Sequence, residues 1–113
     1  MNSGIYHVTF AAPLQPDQTD GLVVIKGETI NGGDIGYIYR GSFKISGTKI
    51  AATLNIKRWN QYAVSIFGNI ATFDLEIEGQ ASPDLSSLSG QGFVVQNPQM
   101  RLTFNARRID DAA

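Results

Sequence analysis

The side chains able to do acid–base or nucleophilic chemistry are few and scattered. His7 is the single histidine of 113 residues, and there is no cysteine. A histidine acting as a general base needs an orienting carboxylate and a nucleophile within reach. In strand period the neighbours of His7 are Ile5 and Thr9, so a solvent-facing strand residue is the simpler reading. Without cysteine there is no disulfide framework, zinc ribbon, iron–sulfur cluster or thiol nucleophile. No Gly-x-Ser-x-Gly elbow, phosphate loop or His-rich metal spacing occurs. Asp74, Glu76 and Glu78 put three carboxylates on one strand face, where residues of like orientation stand about 6.5–7 Å apart and do not converge. A solvated acidic face is the expectation for them. The chain is therefore expected to have no enzymatic activity, no metal and no cofactor.

Basic residues are more organised. From Arg40 to Arg58 there are five of them and no acidic residue. In a strand register, Arg40, Lys44, Lys49 and Lys57 all emerge on the outer face of one hairpin. They form either a docking patch for an acidic protein surface or nucleic acid, or one half of a cross-strand pairing with Asp74–Glu78. The pairing is the more ordinary of the two. Nucleic-acid readers interleave exposed aromatics with basic residues, and here the strand aromatics lie on the other face. A formal charge of −1 points the same way. No direct nucleic-acid binding is expected.

These residues must be positioned by strands, because apolar residues recur with a period of two. Tyr6, Val8 and Phe10 fall on one side of the first strand, and Leu22–Ile25 forms a second. Ile35, Tyr37, Tyr39, Gly41, Phe43 and Ile45 share a face. A Gly47-Thr48 turn would set Ile50, Ala52, Leu54 and Ile56 on the same side. Ala71, Phe73, Leu75 and Ile77 continue the pattern, as do Met100, Leu102, Phe104 and Ala106. Asn31-Gly32-Gly33-Asp34 reads as a tight reversal. Residues 58–69 lose the alternation and read as a helical turn or a further short strand. Gly79 to Gly90 reads as a loop by composition, and Asn97-Pro98 as a break.

Seven or eight short strands with hairpin-length links predict an all-β fold in a single domain, residues 1–113. A small antiparallel up-and-down β-barrel is favoured because closure removes exposed edges; a β-sandwich is the alternative. The inner face mixes Tyr37, Tyr39, Phe43, Phe73 and Phe104 with Gly41, Ala52, Ala71 and Ala106. Such a mixture either leaves a cavity for a hydrophobic small molecule or simply fills a tightly coiled core. The filled core is the simpler expectation. Outward Ile38, or the connector with Val64, Ile66 and Phe67, would cover a barrel end or form a homodimer contact. Met1 to Gly4 lacks a basic leader region, and no run approaches the ~18 apolar residues of a membrane span. A cytoplasmic protein without membrane contact is expected.

Gly4-Ile5-Tyr6, the strand ending Ile25-Lys26, and Gly32-Gly33-Asp34-Ile35 followed by Tyr39 and Gly41 resemble the GrlR-type negative regulators of type III secretion. Arg58-Trp59-Asn60 resembles an Arg-aromatic-Asn step at the corresponding place. The likeness runs mainly over residues 4–60. It implies a small calycin-like barrel, often dimeric and cytoplasmic, without enzyme activity. It further implies binding of a partner transcription activator, and a hydrophobic interior open to a lipid-like ligand. One departure concerns the partner. The founding regulator carries an acidic run near the third hairpin, where this chain has Ile45-Ser46-Gly47-Thr48-Lys49.

Overall fold

The computed structural model describes residues 3–12, 15–65, 67–68 and 70–113, without side chains for residues 15–18. Eight strands run in chain order: β1 (Ser3–Ala12), β2 (Gln15–Lys26), β3 (Thr29–Gly33), β4 (Tyr37–Ser46), β5 (Lys49–Arg58), β6 (Thr72–Ala81), β7 (Ser87–Val94) and β8 (Asn97–Asp110). Each pairs antiparallel with the next, and β8 returns to β1, closing an up-and-down barrel. Closure leaves none of the eight described strands as a sheet edge. Tyr6, Ile25, Tyr37, Phe43, Ile56, Leu75, Val94 and Leu102 are buried inside. Polar residues alternate with them outward, as a half-solvated sheet requires.

The β4–β5 hairpin follows its sequence pattern residue by residue. Ser46 stands opposite Lys49, Ile45 opposite Ile50 and Phe43 opposite Ala52, around a Gly47-Thr48 turn. Gly47 has φ of +64°, the left-handed region that glycine enters without a Cβ penalty. Gly41 has a different role. A Cβ added there would lie 1.8 Å from the Thr53 carbonyl oxygen, so only glycine allows β4 and β5 to approach so closely.

Six expectations from the sequence need correction. Asn31-Gly32 lies within β3, which is paired on both sides, and the reversal comes later at Asp34–Gly36. Two ladders outweigh a local turn preference, and the Asp34 carboxylate then makes the actual turn by accepting the N–H groups of Gly36 and Tyr37. Ile35 therefore falls in the connection and is 83% exposed rather than inward. Ala71 is likewise exposed, just ahead of β6. Residues 79–81 and 87–90 are strand, with Gly79 opposite Gly90, so only 82–86 form the loop. Small residues there serve a tightly curved wall. Residues 59–71 contain no helix among the described residues; Ser65 and Gly68 form an isolated antiparallel bridge. Ile66 of that connector lies outside the described residues, while Phe67 packs against the core and meets Phe73 edge-on at 5.7 Å. The turn before β8 is Val95-Gln96, and the strand resumes at Asn97.

Turns of an up-and-down barrel alternate between its two ends. The β3–β4 and β5–β6 connections and the β7–β8 turn therefore share one rim. The β2–β3, β4–β5 and β6–β7 turns share the other.

Candidate functional site

Two connections distant in sequence are tied together at the first rim. Asp34 Oδ1 accepts the N–H groups of Gly36 at 2.8 Å and Tyr37 at 2.7 Å. Its Oδ2 accepts the hydroxyl of Tyr39. The Trp59 indole N–H donates to the Asp34 carbonyl at 3.1 Å, and Asn60 Nδ2 donates to the Ile35 carbonyl at 3.2 Å. The main-chain N–H of Trp59 donates to the Gly36 carbonyl at 3.0 Å. Arg58 completes the clasp by donating to the Ala63 carbonyl at 3.3 Å. Burial, and then the bond to Asp34, push the Tyr39 hydroxyl far above its ordinary titration range.

This rim opens on a cavity of about 400 Å³ enclosed by the barrel. The volume lies in the range of about 300–1,000 Å³ typical of small-molecule pockets. Tyr37, Tyr39, Phe43, Phe73 and Phe104 all line it, together with Ala52 and Ala106. The small residues among large ones have left space, and the expectation of a filled core is corrected. Rim residues Asp34, Ile35, Gly36, Ala63, Val64 and Ser65 also line it, as do Thr19 and Asp20 on β2. Asp20 Oδ2 also lies 2.8 Å from His7 Nε2, an exposed pair across the β1–β2 ladder. Toward the opposite end, the buried Tyr6 donates its hydroxyl to the Leu85 carbonyl at 2.7 Å.

Arg40, Lys44, Lys49 and Lys57 all stand exposed on the outer wall of β4 and β5. None has a carboxylate within ion-pair distance among the described residues. The acidic strand is indeed their neighbour, since β6 pairs with β5. Its carboxylates, however, face neutral residues: Asp74 stands opposite Asn55, Glu76 opposite Thr53 and Glu78 opposite Ala51. Lys49 and Lys57 face Gln80 and Thr72. Asp74 takes hydrogen bonds from Asn55 at 3.0 Å and Gln96 at 2.8 Å, which hold its carboxyl below the usual range. The register thus sets the charges diagonal to one another and leaves a basic stripe beside an acidic one.

The family model described as the type III secretion system negative regulator GrlR matches residues 1–109. The chain belongs to the GrlR family. Two of the sequence pieces that carry the resemblance, Gly32–Ile35 and Arg58–Asn60, sit at the rim described above, bonded to one another. No curated protein matches the chain. GrlR proteins are negative regulators of type III secretion, and this chain takes its place among them as an eight-stranded barrel.

Sequence reasoning passed over Asp34 and Trp59 as site residues. Asp34 stands in the sequence as part of a turn signal and of the family-like Gly32–Ile35 piece, neither of which points to its side-chain partners. Trp59 stood in a stretch without period, where its partner could not be read. The Tyr39 hydroxyl offered a hint, since a tyrosine on an inner face needs a polar partner.

Proposed function

We propose that this protein restrains type III secretion without catalysis, by binding and sequestering a protein partner such as a transcription activator in the cytoplasm. The observation that carries the reading is the exposed basic stripe of Arg40, Lys44, Lys49 and Lys57 on one rigid hairpin. Four cations without ion-pair partners among the described residues favour an acidic partner surface, which they would steer and orient. The partner differs in sign from one that meets an acidic run. A homodimer fits the same reading: exposed Leu22 and Ile38 flank Gly33 across the outer wall of β2, β3 and β4.

Binding is tested with the purified cognate activator, measured against wild type and the Lys44→Glu/Lys49→Glu double variant. Reversal of two charges is expected to weaken binding by at least about tenfold, and more at low salt. Unchanged affinity moves the interface elsewhere.

The cavity supports a second reading, in which a hydrophobic small molecule occupies the barrel interior and the protein senses or carries it. The about 400 Å³ space lined by Tyr37, Tyr39, Phe43, Phe73 and Phe104 is the observation in its favour.

A further inference from the structure

The cavity has a polarity of its own at the rim. Its charged lining residues, among those described, are Asp20 and Asp34; no lysine or arginine lines it. Three of the four lining hydroxyls among the described residues have their protons taken, Thr19 being the fourth. Tyr37 donates to the Ile70 carbonyl at 2.9 Å, Ser65 to the Gly68 carbonyl at 3.0 Å and Tyr39 to Asp34. The Gly36 and Tyr37 N–H groups are bound to Asp34 Oδ1. Arg58 is turned to the Ala63 carbonyl and does not line the cavity. His7 lies 2.8 Å from Asp20 Oδ2 and does not itself line the cavity.

Acceptor capacity remains. An ionised carboxylate offers about four lone-pair sites, and Asp34 receives three donors. The Tyr39 oxygen, having donated its proton, can still accept. A ligand's polar end that reaches this rim meets acceptors and negative charge. A carboxylate or phosphate there would lose its hydration against few free donors and no cation, beside a like charge.

We infer that the cavity takes a single-chain amphiphile whose head donates hydrogen bonds and carries no negative charge, an alcohol or a primary ammonium, with its chain among Phe43, Phe73 and Phe104 and its head at Asp34 and Tyr39. This rests on the reading of the cavity as a small-molecule site and adds the ligand class. It separates the protein from carriers of fatty acids that place a cation at the carboxylate, since no lysine or arginine lines this cavity.

Trp59, the single tryptophan, is bonded to the Asp34 carbonyl and gives an intrinsic probe at the rim. The full chain is titrated at neutral pH with 1-decanol, decylammonium and decanoate, below their micellar concentrations. Trp59 emission and thermal midpoint are both followed. Saturable binding of 1-decanol and decylammonium is expected, with decanoate at least about tenfold weaker, the loss of roughly one hydrogen bond to a charged group. Decanoate binding as tightly as 1-decanol overturns the ligand class while leaving the cavity a ligand site. No binding of any of the three overturns both. Ala52→Phe on β5 and Ala106→Phe on β8 each project a ring into the cavity. Whichever folds with wild-type strand content is expected to lose the binding. A folded variant that still binds 1-decanol places the ligand outside the barrel and overturns the inference.

Discussion

The indole N–H of Trp59 donates to the main-chain carbonyl of Asp34 across 25 residues of sequence, at 3.1 Å. That bond joins the β3–β4 and β5–β6 connections into one rim, and the Asp34 side chain fixes the rim to the barrel through Tyr39. Opening the rim would break a hydrogen-bonded unit rather than move one loose loop.

Asp34→Ala is expected to destabilise the barrel by about 3 kcal/mol, because it leaves two N–H groups and a tyrosine hydroxyl without their charged acceptor. Trp59→Phe, which removes one bond at an exposed position, is expected to cost about 1 kcal/mol. Urea unfolding of both variants tests the order; equal costs would contradict the central place of Asp34.

Tyr39 gives an alkaline signature. Its hydroxyl titrates near 10 in the unfolded chain and far higher in the barrel. Above pH 10 the unfolded state therefore releases a proton that the folded state keeps, and stability falls as pH rises. Below that pH the contribution is fully present. Tyr6 is raised also, by burial, and contributes to the same limb. Tyr39→Phe is expected to lower stability at neutral pH and to flatten the decline between pH 10 and 11 by up to about 1.4 kcal/mol per pH unit. Chemical denaturation across that window measures it.

At the opposite rim, Asp84 is held at about 2 by the Ser86 side chain, then by the Ser86 N–H and the Ser82 hydroxyl. A depressed carboxylate favours the folded state above its ordinary range near 4, and the effect fades as pH falls toward 2. A carboxyl NMR titration is expected to show this low midpoint, and Ser86→Ala to raise it.

The two glycines of the β4–β5 hairpin are expected to differ in what they tolerate. Gly41→Ala drives a methyl into the Thr53 carbonyl and is expected to cost about 3 kcal/mol. Gly47→Ala meets nothing within 4 Å and bears only the left-handed φ of +64°, for about 1 kcal/mol. Thermal or urea unfolding of the pair checks the difference.

Strands with one dry face were legible in the sequence, since a slip of one residue would have exchanged Tyr37, Tyr39 and Phe43 with Arg40 and Lys44. The basic stripe and the aromatic interior followed from that register. What escaped was set by contacts between distant segments. Asn31-Gly32 has the composition of a turn, and only pairing with β2 and β4 keeps it extended. Ile35 fits the strand period but is carried out of it by the Asp34 turn. Gly79 and Gly90 look like loop residues until they stand opposite one another in a curved wall. The cavity was undetermined for a similar reason: alanines at 52 and 106 either let strands close in or leave room, and only the barrel's closure decides.

The most direct test of the account is secretion itself, measured in cells lacking the native copy and supplied with wild type or the Lys44→Glu/Lys49→Glu variant at equal level. Wild type is expected to repress type III secretion, and the charge-reversed barrel, with an unchanged thermal midpoint, to lose most of that repression. Full repression by the charge-reversed protein would contradict the assignment of partner binding to the basic stripe.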